Sequence, residues 1–280
     1  MFKCLVTGHM GYIGSRVHAS LIELGHEVRG IDLKKGQDII YDLDSLKDFK
    51  PEFIFHLAAI PRVSYSVEFP EEVLENNVLS TIRILEYARQ SGTKRVIYSS
   101  SSSVIGDGAG PTSPYGASKL IPEILCKNYT DVYGLDTVSL RYFNVYSEDQ
   151  PHDGPYTTAI ANFMYCIHKE ENPFITGNGE QRRDMVHVSD VVSANLFCME
   201  SKINFNGRWF DVATGANISL NEIEAIVKKY NPTIVFDRVP SRAGDVKITK
   251  ADTEPLKKLG WCAKIGIIDG ISSCFKQPLC

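Results

Sequence analysis

The sequence has no Cys-x-x-Cys pair, no run of one charge sign, no internal repeat and no proline- or glycine-rich linker. Each absence narrows the field. Seven cysteines scattered through 280 residues, an odd set without paired spacing, argue against a disulfide framework and read as reduced thiols of a cytosol. His56 and His187 have no second ligand at a useful spacing, so no metal site is expected. Lys and Arg number 30 against 34 Asp and Glu, a net charge of −4 with both signs interspersed, which argues against a nucleic-acid partner. No apolar stretch approaches the roughly 18 residues that a membrane span needs. Met1 to Gly8 lacks the apolar core and cleavage site of a signal peptide. The expectation is a cytoplasmic protein without a membrane partner, with an ordinary globular 43% of hydrophobic residues.

What is present is an alternation. Cys4-Leu5-Val6, Val28 to Ile31, Phe53 to Leu57, Val96 to Tyr98 and Thr137 to Leu140 read as strands. Helical patterns lie between them: one ending at Leu24, then Val73 to Gln90 and Tyr115 to Tyr133, with Gly25, Gly92 and Gly134 as stops. Strands alternating with helices predict an α/β fold with a doubly wound parallel sheet, which binds ligands beyond the carboxyl ends of its strands. After about residue 150 the rhythm is irregular, with helical patterns at Val188–Met199 and Leu220–Tyr230 and a return to the sheet near Trp209–Val212. The predicted division is a nucleotide-binding domain at 1–150, with 186–213 returning to it, and a smaller C-terminal substrate lobe at 151–185 and 214–280.

Thr7-Gly8-His9-Met10-Gly11-Tyr12-Ile13-Gly14 follows the first strand and opens a helix. Glycines there allow a tight turn and close approach of a pyrophosphate to the helix N-terminus, with its unpaired N–H groups. Asp32 ends the second strand, where a carboxylate accepts from adenosine ribose hydroxyls and repels a 2′-phosphate. The cofactor expected is therefore NAD, with Lys34 and Lys35 read as a solvated turn. Asp42-Leu43 ends a further short extended segment, in reach of the adenine.

Tyr115-Gly116-Ala117-Ser118-Lys119 puts a phenol and an ammonium on one helical face. The ammonium favours phenolate, so Tyr115 can exchange a proton with a substrate hydroxyl that becomes a ketone. Lys119 can also hold the nicotinamide ribose. The fourth strand ends in Ser99 to Ser103, at the same crevice, where a serine can hydrogen-bond the reacting oxygen.

These motifs, with His56-Leu57-Ala58-Ala59, Asn76-Asn77 and Arg141 to Ser147, resemble the extended short-chain dehydrogenase/reductase family. The stretch 175–190, Gly244-Asp245-Val246 and Leu259-Gly260-Trp261 resemble its NDP-sugar epimerase branch. The resemblance implies a Rossmann sheet and residue roles. Gly8, Gly11, Tyr12, Ile13 and Gly14 match the pyrophosphate turn, Asp32 the ribose acid, and Asp42 and Leu43 the adenine edge. Leu57, Ala58 and Ala59 match the wall beside the cofactor, and Asn77, Ser99 and Tyr142 its polar surroundings. Ser101, Tyr115 and Lys119 match the catalytic set. Asn144 matches a residue near the substrate diphosphate, Arg183 and Arg242 its arginines, Asp245 the nucleotide-ribose acid, and Thr249 a residue bordering the sugar C2 substituent. A homodimer through the helices at 76–90 and 115–133 is also implied.

Three departures stand out: Ile105 replaces a tyrosine, the loop 107–114 is trimmed, and the segment after Asp32 is short. The activity implied is an NAD-dependent 4-epimerase of a nucleotide sugar, with a UDP-hexose or UDP-N-acetylhexosamine favoured. A 4,6-dehydratase would need an acid where Ser101-Ser102-Ser103 stands, and a 4-keto-sugar epimerase/reductase would consume reducing cofactor.

Overall fold

The computed structural model describes residues 1–152, 158–240 and 247–276. By internal contacts the chain falls into two units, Met1–Tyr142 with Val191–Asp211, and Phe143–Asp190 with Val212–Cys280.

The first unit is built on a six-stranded sheet. Its strands are β1 (Lys3–Thr7), β2 (Glu27–Ile31), β3 (Phe53–His56), β4 (Arg95–Ser101), β5 (Asp136–Tyr142) and β6 (Arg208–Val212), in the order β6-β5-β4-β3-β1-β2. The ladders joining β2, β1, β3, β4 and β5 are parallel. Buried on both faces, β3 and β5 are covered along their whole length, whereas β2 at the edge alternates exposed and part-buried residues. Helices α1 (Tyr12–Glu23), α2 (Ser80–Ser91) and α3 (Pro114–Tyr133) belong to this unit. Ile84, Leu85 and Ala88 of α2 and Cys126 of α3 pack in one core with Leu5, Ile54, Val96 and Tyr98 of the sheet.

The chain leaves β1 towards β2 and then crosses to β3 on the other side of β1, so the strand order reverses there. That reversal is where open α/β sheets open a ligand crevice at the strand ends.

Two local expectations need correction. The helix expected over Val73–Gln90 is interrupted by a π-turn at Glu75–Leu79, which joins Pro70–Leu74 to α2. Asp42 and Leu43 do not end an extended segment. Ile39–Asp42 is a short helix capped by Asp38, whose Oδ1 accepts from Ile40 N at 2.8 Å, and Leu43 is buried beneath it. The cap compensates the first orphan amides, and burial of Ile39, Leu43 and Leu46 outweighs the weak extended pattern.

Among its described residues the second unit has three two-stranded ladders: Asn217–Ser219 antiparallel to Arg182–Asp184, and Asp237–Val239 and Val145–Tyr146 parallel to Phe174–Thr176 and Val186–His187. Its core gathers Tyr146, Phe163, Ile175, Met185, Ile223 and Ile271. Helix Leu220–Tyr230 begins in a reciprocal capping box between Ser219 and Glu222.

Candidate active site

The glycine turn closes over the end of β1. Gly8 has φ +68°, and a Cβ there would lie 2.9 Å from the Ala58 Cα. A Cβ on Gly14 would lie 2.1 Å from the Gly8 carbonyl oxygen, so α1 can approach the turn only without a side chain at that place. Gly11, the N-cap of α1, has no side chain to cap the helix, so its first turn faces the glycine loop directly. Backbone packed this closely at a helix N-terminus fits the pyrophosphate of a dinucleotide. Tyr12 and Ile13 form the first helical turn.

Asp32 ties this turn to β2. Its Oδ2 accepts from Met10 N and its Oδ1 from Lys34 N, both at 2.8 Å. A carboxylate has about four acceptor sites, so capacity for ribose hydroxyls remains. Lys34 Nζ donates to the Met10 carbonyl at 3.2 Å. Sequence reasoning passed over His9, which fills the space above Gly30, where a Cβ would come within 2.2 Å of its Cγ.

On the other side of β1, Leu57 and Ala58 N–H donate to Thr7 Oγ1 at 3.1 Å each. His56 bridges Thr7 and Thr81 hydroxyls at 2.8 and 3.0 Å, and burial pushes its pKa down to about 3, so the ring is neutral. Asn77, in the π-turn, accepts from Ile60 N at 2.8 Å and donates to Ser118 Oγ at 2.9 Å. Ser118 donates in turn to the Tyr115 carbonyl at 2.8 Å. The π-turn is thus a clamp between the strand-end wall and α3, and both ends of the Asn77 amide are taken up by the chain.

Tyr115 and Lys119 occupy the first turns of α3, where Ser113 caps the helix by accepting from Gly116 N. Both are buried. Lys119 Nζ donates to the Ser99 carbonyl at 2.9 Å and stands 5.2 Å from the Tyr98 ring centroid. The Ser101 hydroxyl, which donates to Ser103 Oγ at 3.2 Å, stands close enough to the Tyr115 phenol to lower its pKa. The structure therefore brings Ser99, Ser101, Tyr115 and Lys119 together at the carboxyl end of β4. Tyr142, at the end of β5, lies 2.9 Å from Ser99 Oγ and accepts from Asn195 Nδ2 at 2.8 Å.

The electrostatics differ from the sequence expectation. Burial raises the Tyr115 phenol above its ordinary value, and the neighbouring Ser101 hydroxyl offsets only part of that. Burial also lowers Lys119, to about 7, with Glu123 acting in the opposite direction. Charge on either partner costs desolvation, so their proximity does not by itself leave a phenolate.

In the second unit Asn144, Thr158, Thr176, Gln181 and Arg183 line a cavity of about 170 Å³. Asn144 holds a left-handed φ of 35°, fixed as its Nδ2 donates to the Asp184 carbonyl at 2.7 Å. Gln181 and Thr176, which sequence reasoning missed, are joined at 2.8 Å. Thr249 is outside this lining, and its Oγ1 accepts from Asp184 N at 3.2 Å, so the hydroxyl is engaged by backbone. Arg242 and Asp245 lie outside the described residues.

A family model described as the NAD dependent epimerase/dehydratase family matches residues 4–213. A putative UDP-glucose 4-epimerase of Methanocaldococcus jannaschii is 33% identical, covering 95% of each chain. A UDP-N-acetylglucosamine 4-epimerase from Methanobrevibacter ruminantium, in complex with UDP-N-acetylmuramic acid, superposes with a TM-score of 0.89 at 30% identity, over 98% of this chain and 96% of that one. A Thermus thermophilus UDP-glucose 4-epimerase in complex with NAD gives 0.86 at 27% identity, over 98% and 99%.

Proposed function

Because the chain belongs to the NAD-dependent epimerase/dehydratase family, we propose that it interconverts the C4 epimers of a UDP-linked sugar, with NAD retained and recycled. The observation that carries this reading is the gathering of Ser101, Tyr115 and Lys119 at the end of β4, in the same unit as a glycine turn shaped for pyrophosphate. Gly8, Gly11, Tyr12, Ile13 and Gly14 hold the pyrophosphate, Asp32 the adenosine ribose, and Lys119 the nicotinamide ribose. NAD held there would supply the acceptor and donor of the C4 hydride. Tyr115 takes the proton of the C4 hydroxyl as that carbon becomes a ketone, and gives it back when the alcohol re-forms. Ser101 hydrogen-bonds the same oxygen. The 4-keto sugar turns over between the two hydride transfers, and the reaction is redox-neutral.

Arg183 and Asn144 at the second unit's cavity suit the substrate diphosphate, since a guanidinium fork pairs with phosphate oxygens; Arg242 and Asp245 are assigned to the same nucleotide on the family resemblance alone. Thr249 is small enough to leave room for a 2-acetamido group. Ser101-Ser102-Ser103 offers no acid for elimination of water, which counts against a 4,6-dehydratase. No helix among the described residues is long and apolar enough to cross a membrane, which is consistent with the cytoplasm. A homodimer is favoured by the apolar stripe on α3, where Ile121, Ile124 and Val132 are exposed.

The test is incubation with UDP-glucose and with UDP-N-acetylglucosamine while absorbance follows NADH. Epimer formation without net NADH supports the reading, and stoichiometric consumption of reduced cofactor or a dehydrated 4-keto product overturns it. Calorimetry should give tighter binding of NAD than of NADP, with the gap narrowed in Asp32→Ala. Thr249→Tyr should lower kcat/KM selectively for the acetamido substrate; an equal loss for both sugars means that Thr249 does not border the C2 substituent.

A further inference from the structure

The Lys119 ammonium is buried against two neutral groups, the Ser99 carbonyl and the Tyr98 ring. One helical turn on, where i and i+4 side chains meet, stands Glu123. Glu123 is itself buried and held from two strands: Arg141 Nε and Nη2 donate to its two oxygens at 2.8 and 2.6 Å, and Ser100 Oγ donates to Oε1. Arg141 in turn stands over the Trp209 ring, 3.6 Å from its centroid. Three successive residues of β4 therefore serve three groups of α3. The Ser99 carbonyl holds Lys119, the Ser100 hydroxyl holds Glu123, and the Ser101 hydroxyl neighbours the Tyr115 phenol.

We propose that Glu123, fixed by Arg141 and Ser100, is a positioning residue that supplies the counter-charge of Lys119 and locks α3 onto β4 in the register that sets Lys119 and Tyr115 against Ser99 and Ser101. It touches neither substrate nor cofactor in this role. The kinetic arm of its test rests on the epimerase reading, and the chemical arm does not.

Charge near Lys119 comes from few groups. Burial pushes His56 of β3 down to about 3, raises Tyr98 of β4 well above its ordinary value, and moves Tyr142 of β5 and Cys126 of α3 up to about 12. Tyr115 is raised as well. All five stay neutral near neutral pH, which leaves, among the described residues, the Glu123 and Arg141 ion pair as the charged neighbours. Of that pair, Glu123 is the one that acts on Lys119, in the direction that favours the ammonium. Without it Lys119 loses its proton at lower pH, so a rate that needs the ammonium fails first on the alkaline side.

Glu123→Gln alone leaves Arg141 buried without its partner and can prevent folding. The deciding variant is Glu123→Gln/Arg141→Met, which removes both charges. Acylation of Lys119 by acetic anhydride, followed by mass spectrometry across pH, reports its titration in the substrate-free protein. The midpoint should fall by about one unit in the double variant. With NAD and a UDP-sugar, kcat should fall about tenfold on the alkaline limb and little on the acid limb. Ser100→Ala, which keeps both charges, should shift the midpoint less, in the same direction. An unchanged midpoint in the folded variants, or a loss of kcat equal at all pH values, overturns the proposal. If the native protein turns over no UDP-sugar, the function reading fails while the acylation midpoint still decides the role of Glu123.

Discussion

Tyr115 and Lys119 stand four residues apart on a helix, and that spacing is readable in the sequence, but their ionisation is not. Both side chains are buried, so both are driven towards their neutral forms. On the proposed epimerase reading the phenol therefore relies on the neighbouring Ser101 hydroxyl and on a charged Lys119 to act as a proton acceptor. Tyr115→Phe keeps the ring and its packing and removes only the acceptor. Turnover should drop by at least about 100-fold, the usual contribution of a general acid–base group, while NAD binding persists. Comparison of kcat with an NAD titration of the same variant checks this, and near-native turnover would remove Tyr115 from the mechanism.

At the scale of elements, the glycine turn and α1 act as one device. The third glycine is needed because the Gly8 carbonyl oxygen occupies the place a side chain would take. Gly14→Ala must push α1 away from the turn, spoiling the anion site before anything else in the unit. The expected result is NAD affinity weakened at least about tenfold, with a stability loss of about 1–3 kcal/mol, the range of overpacked sites. Calorimetry and urea unfolding measure the two; unchanged NAD affinity would mean that the turn does not bind the pyrophosphate. The turn was legible because three glycines between a strand and a helix have few other uses. The strands were legible because buried parallel strands are short continuous apolar runs. The π-turn at Glu75–Leu79 was not, since it follows from where Asn77 must reach Ile60 and Ser118, distant in sequence. Glu123 was visible only as a spacing from Lys119. Its partner Arg141 comes from another strand, and no local pattern joins them. The second unit was read least well because its ladders are two or three residues long, too short to carry periodicity.

At the scale of the whole molecule, α3 does two things with two faces. One buries Tyr115, Lys119 and Glu123, and the other exposes Ile121, Ile124 and Val132, which recur at helical spacing along one side. Arg89 of α2 lies over the Tyr133 ring of α3 at 5.3 Å and is paired with Glu86, so a polar rim flanks the stripe. An apolar stripe rimmed by charge is the composition of an association surface. If two copies pair there, a stable interface covers about 1,200–2,000 Å² in total, and a charge placed centrally in the stripe should open it. Ile124→Lys is suited to this because its side chain is 54% exposed in the single chain, so the substitution leaves the fold and the buried face intact. Light scattering should then report a dimer for the native protein and a monomer for the variant, with NAD affinity retained because the glycine turn is untouched. A native protein that is already monomeric, or a variant whose mass equals that of the native dimer, would exclude this face as the contact.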